Sequence, residues 1–127
     1  MTRDGTHVRL AGAISAPAPP SPPRVIVGVG ASRRLIDLVV QDADELNVYL
    51  DPAVMAHATE AIAAAGRDIP LSGYRNYDWG GWPAADLVGD LAQARDGGLS
   101  RVVVNVGFER DMAARVRELA VAQERLV

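Results

Sequence analysis

Beyond Pro23 the hydrophobic positions fall into short apolar runs that alternate with stretches at helical spacing. Val25 to Val29 (VIVGV) suits a buried parallel strand, and Ser32 to Gln41 follow with Leu35, Ile36, Val39 and Val40 at helical spacing. Glu45 to Leu50 (ELNVYL) predicts a second strand, running into Asp51-Pro52, a capping residue followed by proline at the first helical position. The alanine-rich helix that begins there stops at Gly66. A third strand is expected from Ile69 to about Tyr74, then the loop RNYDWGG, then a helix opened by Pro83 and closed by Gly97 and Gly98. Arg101 to Val106 (RVVVNV) is the clearest strand. A last helix from about Glu109 carries Met112, Val116, Leu119 and Ala120 as its apolar stripe. Consecutive strand-helix units of this kind, about four of them, predict an α/β fold with a parallel sheet and right-handed crossovers.

Ahead of these units lies a segment of different character. Ala13 to Pro23 (AISAPAPPSPP) holds most of the prolines, which remove backbone donors and favour an extended connector. The organisation expected is a leader strand and Pro-rich connector over 1–23 and a βα domain over 24–127.

Composition narrows the chemistry. The chain of 127 residues is 49% hydrophobic and 23% charged, which places it among globular domains with a sizeable core. Its net charge of −3 favours neither nucleic acid nor an anionic membrane as a partner. All 13 basic residues are arginine, so a Schiff-base or phosphate-gripping lysine is excluded and an anion must be met by arginine or backbone N–H groups. Absence of cysteine removes disulfides, thiolate metal sites and cysteine nucleophiles. The start of the sequence, MTRDGTHVRL, lacks an apolar signal region, and a cytoplasmic location is expected.

Parallel sheets gather their chemistry at the carboxyl ends of the strands. At the first such end, Gly28 and Gly30 allow a sharp turn with close approach of a ligand to the backbone, Ser32 caps the next helix or bonds a phosphate oxygen, and Arg33 or Arg34 adds charge. A tight turn with solvated arginines explains the same residues. A dinucleotide fingerprint would need glycine at position 33, where this chain has Arg33. Asp51 is better explained as a helix cap than as a ribose ligand. Candidate pocket-lining residues at the other strand ends are Asn47, Tyr74, Asn76, Trp79, Asn105 and Phe108. Of the two histidines, His57 lies mid-helix as a surface or packing residue; no metal ligand set and no catalytic residue is assigned.

PPRVIVGVGASRRLIDLVVQDADELNVY resembles the luciferase-like monooxygenase superfamily, in a proline-led strand, a glycine-rich turn, a helix and an Ala-Asp-x-x-Asn strand start, here Ala43, Asp44 and Asn47. Upstream, Gly5-Thr6-His7-Val8-Arg9-Leu10 resembles the strand that precedes this turn in the family; downstream, AAAGRD and DGGLSRVVVNVGF resemble a helix end and the final barrel strand. The resemblance implies the C-terminal half of a TIM (β/α)8 barrel that works as an oxidoreductase on flavin mononucleotide (FMN) or the deazaflavin coenzyme F420. It assigns Gly28, Val29, Gly30, Ala31 and Ser32 to the cofactor phosphate, with Arg33 beside them. A full barrel needs about 250 residues and eight units. Half of one is expected to be incomplete and inactive alone, and either to cover its two open edges with another copy, with a complementary N-terminal half-barrel chain or by opening into a flavodoxin-like sheet, or to be a truncated product; the alternatives are a stand-alone phosphate- or nucleotide-binding α/β module and a non-catalytic assembly or remnant protein.

Overall fold

In the computed structural model, residues 3–6, 9–12, 20–77, 84–105 and 112–126 are described. Near the start, β1 (Arg3–Asp4) and β2 (Arg9–Leu10) form an antiparallel pair, with Arg3 opposite Leu10, in a sheet of their own. Asp4 is followed by Gly5, a pair suited to reversing the chain, so the leader is two short strands and not one.

Four βα units follow: β3 (Ile26–Gly30), α1 (Arg33–Val39), β4 (Glu45–Tyr49), α2 (Pro52–Ala64), β5 (Leu71–Asn76), α3 (Ala84–Asp96), β6 (Arg101–Asn105) and α4 (Met112–Glu124). The four strands are parallel and stand in the order β3-β4-β5-β6, the order of the chain. This monotonic order separates the fold from the flavodoxin-like arrangement, whose strand order reverses at a switch point.

Local signals set the ends of the helices. Asp51 caps α2 by accepting from the N–H groups of Ala53 and Val54 at 2.9 and 3.0 Å, ahead of Pro52. That helix ends where Gly66 takes φ of 64°, with Gly66 N donating to Ala63 O and Arg67 N to Ile62 O, the paired bonds of a Schellman motif. α3 ends in the same way at Gly98, φ 73°, through bonds from Gly98 N to Arg95 O and from Leu99 N to Ala94 O. Arg67 then turns back to donate to the carbonyls of Gln41 and Ala43, fastening the end of α2 to the loop that precedes β4.

Strand alternation divides the sheet into two unlike faces. Val27, Val29, Leu46, Val48, Leu71, Val102 and Val104 meet the helices, where Ile36, Val40, Val54, Met55, Ala58 and Ala94 complete the main core. A smaller cluster joins Val104 to Leu87, Leu91, Leu119, Ala122 and Tyr77. Residues of the opposite parity, Ile26, Gly28, Glu45, Asn47, Tyr49, Ser72, Tyr74, Asn76, Arg101, Val103 and Asn105, point to the other face, which no described helix covers.

Four expectations change. The first strand is buried on one face only: Val29 enters the core, Ile26 is exposed on the helix-free side, and Val25 is exposed just ahead of the strand. The third strand runs two residues later than expected. Pro70 has no N–H for the ladder, and the strand extends through Arg75 and Asn76, which pair with Val104 and Asn105. α4 turns Leu119 and Ala122 inward and leaves Met112 and Val116 exposed, since the small Ala122 packs with Leu87 and Tyr77. In α1, Ile36 and Val40 are buried while Leu35 faces outward.

Gly73 sits where β5 crosses the tightest part of the core. A Cβ there would overlap Leu50 Cδ2 and lie 2.6 Å from Leu99 Cδ2. Gly73→Ala is expected to destabilise the fold by about 1–3 kcal/mol through overpacking, read by urea denaturation. Gly28 has nothing within 4 Å of a built Cβ. Gly28→Ala is expected to leave stability unchanged or raise it by about 0.5–1 kcal/mol, because the unfolded chain loses freedom.

Candidate functional site

The turn after β3 was expected to hold an anion, and the structure divides its residues by role. Gly28 lies inside β3 opposite Asn47, and Val29 sends its side chain into the core. The reversal itself occurs at Gly30, whose φ of 59° demands glycine. Ser32 closes the turn: its N–H donates to Val29 O at 3.1 Å, and its Oγ accepts from Leu35 N at 3.4 Å as the cap of α1. Ala31 and Arg33 stand exposed at the rim.

Beside this turn the carboxyl ends of β3, β4 and β5 enclose an open cleft of about 390 Å³ lined by Ala31, Tyr49, Leu50, Asp51, Tyr74, Arg75 and Asn76. Such a volume lies within the range of small-ligand sites, about 300–1,000 Å³. Tyr49 and Tyr74 face each other across the β4–β5 ladder with ring centroids 5.8 Å apart and planes inclined by 31°. Tyr49 backs onto the turn, its ring 3.5 Å from where a Cβ on Gly30 would stand. Asn105 Nδ2 donates to the Tyr74 hydroxyl at 3.1 Å. Of the pocket-lining candidates, Tyr74 and Asn76 therefore line the cleft and Asn105 supports it, whereas Trp79 and Phe108 lie outside the described residues.

Asn47 belongs to a different cluster, lower on the same face. Its Nδ2 donates to Ser72 Oγ at 2.9 Å, and Ser72 Oγ donates to Glu45 Oε1 at 2.6 Å. Glu45 is only 1% exposed yet ionic: Arg24 Nη2 lies 3.1 Å from Oε2, and Arg101 Nη2 reaches across β5 to within 2.7 Å of Oε1. Two guanidinium groups and a hydroxyl thus meet the carboxylate, which satisfies the demand a buried charge makes for partners. Asp44, at the strand entry, ties β3 to β4 by accepting from Val25 N at 2.8 Å and donating its own N–H to Val25 O.

The aromatic loop after β5 contributes a third arrangement, on the helix side. Tyr77 is buried against Leu87 and Ala122, and its hydroxyl donates to Asp90 Oδ2 at 2.7 Å. Arg75 approaches the same carboxylate, with Nε 2.9 Å from Oδ2 but off the angle of a hydrogen bond, and its guanidinium carbon lies 5.6 Å from the Tyr77 ring centroid. Burial, reinforced by the bond to Asp90, pushes the Tyr77 phenol well above its ordinary range. His57 joins two helices, its Nε2 2.9 Å from Asp37 Oδ1, in keeping with a packing role.

Sequence reasoning missed Glu45, Tyr49, Ser72, Arg24 and Arg101 as members of these clusters. The signal was available in β4, where Glu45, Asn47 and Tyr49 recur at the spacing of one strand face.

Glu45→Gln removes the charge that both arginines face. Because Arg24 and Arg101 are half exposed and can rehydrate, the expected loss is about 1–3 kcal/mol, below that of a fully buried pair, measured by urea denaturation. For Tyr77 the folded-state pKa is raised, so its contribution is complete below the unfolded value near 10 and declines as pH rises above it. Stability of the native chain is expected to fall as pH rises above about 10, and Tyr77→Phe should flatten that fall. No protein-family model matches this chain, and no curated protein matches it.

Proposed function

We propose that the chain is the C-terminal half of a luciferase-like oxidoreductase barrel, contributing part of a site for FMN or coenzyme F420 in the cytoplasm and incomplete as a catalyst alone. The single observation that carries this reading is the monotonic parallel order β3-β4-β5-β6, with every described helix on one face and none of them on the other. In a (β/α)8 barrel that other face is the interior, and ligands sit at the carboxyl ends of its strands. The cleft beside Gly30 occupies that end.

The residues present fit such a cofactor through its ring more fully than through its phosphate. The cleft offers two tyrosine rings, whereas Ser32 already serves as a helix cap. Arg33 and the backbone of Gly30 and Ala31 are the groups left to meet a phosphate. When bound, either cofactor supplies hydride chemistry. This chain's own residues bind and orient it, and the proton-transfer groups belong to the other half. That half is a second copy of the chain or a complementary chain, and either closes the two sheet edges.

Titrating FMN and coenzyme F420 with the purified chain tests the reading. At least one cofactor is expected to show a shifted absorption spectrum, with a dissociation constant of about 1 μM to 1 mM for a half-site. Sedimentation at the same concentrations separates self-association from dependence on another chain. Spectra unchanged for both cofactors up to millimolar protein would overturn the proposal.

A further inference from the structure

The four-stranded sheet ends in two open edges, since among the described strands β3 pairs only with β4 and β6 only with β5. Exposed apolar surface collects at the same two ends. Tyr49 apart, every large hydrophobic residue left exposed among the described residues lies in or beside the first or the last βα unit, Leu35 and Leu38 of α1 and Met112 and Val116 of α4 among them. The inner helices α2 and α3, which have a helix on either side, carry none. The helices also show which way these side chains face. Asp37 of α1 bonds His57 of α2, and Leu35, two positions earlier, lies about 200° around the helix from it. Leu35, 45% exposed, is therefore on the flank away from α2, on the side of the open β3 edge. On α4, Ala114 and Val121 line a groove with Val88 of α3. Val116 stands about 140° around the helix from Val121, with Met112 one turn before it, so this pair takes the flank away from α3, on the side of the open β6 edge.

Each end is thus a strand edge with a row of unpaired backbone groups beside an apolar helix flank. The two ends match. β3 and β6 run in the same direction in one sheet, so the β6 edge of one copy can take the β3 edge of another as its next parallel strand, as β4 follows β3 within the chain. Joining β6 to β6, or β3 to β3, would leave the other edge of each copy open. The surface available is sufficient. A five-residue strand makes each end a strip about 17 Å long and about 20 Å deep through its strand and helix layers. Two such strips offer on the order of 700 Å² per copy, close to the ~800 Å² that a standard stable interface takes from each partner.

We infer that two copies of this chain close on each other as an eight-stranded parallel barrel, β6 of each against β3 of the other, with the Met112–Val116 flank of α4 packed on the Leu35 flank of α1. The inference rests on the half-barrel part of the proposed function, commits the missing half to a second copy, and holds whichever ligand the barrel takes. Twofold closure leaves no strand edge open. It also sets the carboxyl end of the second copy's β6 beside the turn at Gly30, so that the cleft lined by Tyr49 and Tyr74 gains a further wall from that copy.

Sedimentation velocity of the purified chain at micromolar concentrations, without cofactor, reads the assembly directly. The expected species has twice the mass of the single chain. Leu35→Asp and Val116→Arg, both at exposed positions and each checked for native circular dichroism, should weaken the dimer about tenfold or more, because each places an unpaired charge in the seam. Val121→Arg, on the flank that faces α3, should leave dimer affinity unchanged. Mixing the Leu35→Asp and Val116→Arg chains should restore dimers, since one seam of the mixed pair joins the two opposite charges and the other is native on both sides. A natively folded monomer at all concentrations overturns the inference and leaves the half-barrel to a complementary chain. Assembly into larger open chains, a dimer that Val121→Arg weakens as much as Val116→Arg, or variants that mixing does not restore also overturn it. The cofactor is read separately: a dimer of this kind whose presence leaves the spectra of FMN and coenzyme F420 unchanged overturns the cofactor reading while the barrel closure stands.

Discussion

A strand that always takes its place on the same side of its predecessor, through a right-handed crossover, can be covered by helices on one face only. Everything else in this chain follows from that constraint. The odd and even positions of β3 to β6 must serve opposite environments, one packed by α1 to α4 and the other covered by no described helix. On the packed side the strands carry Val27, Val29, Leu46, Val48, Val102 and Val104. On the bare side they carry polar and aromatic groups, and those groups organise into two levels: an ionic layer around Glu45 near the strand beginnings, and the tyrosine cleft at the strand ends.

The two levels depend on each other through β4 and β5. Asn47 and Ser72 form the link below, and the Tyr49–Tyr74 pair lies two residues further along each strand. The arginine–glutamate layer fixes β3, β4 and β6 relative to one another on the face that helices leave uncovered. A cleft assembled from three strand ends needs that fixity, since stacking geometry tolerates little displacement of either ring.

Much of the scaffold was legible because its signals are local. Asp51-Pro52 begins α2, Gly66 and Gly98 end α2 and α3, and each motif acts through neighbouring backbone groups. The site was less legible because its members are brought together by register. Arg24, Glu45, Ser72 and Arg101 are far apart along the chain, and nothing in any one segment marks them as partners. Gly28 and Gly30 looked like one device in the sequence, but alternation and a left-handed φ separate them into a strand residue and a turn. Arg75 and Asn76 looked like loop residues, and became strand once Asp90 and Asn105 supplied partners. In α4 the apolar positions surround the helix widely enough that spacing alone did not decide which side turns inward.

The division of the core into two clusters has a consequence for how the molecule comes apart. The larger cluster joins β3, β4 and β5 to α1 and α2 and reaches α3 and β6 through Ala94 and Val102, while the smaller one joins Val104 of β6 to α3 and α4. Each strand pairs with its neighbour in sequence, so the units interact as a short linear array, and an array of this kind loses structure from an end inward. The end with the smaller cluster is the one expected to open first. Asn105, which steadies Tyr74, lies on that opening unit, and the order of the cleft is thereby coupled to a local unfolding equilibrium about thirty residues away along the chain.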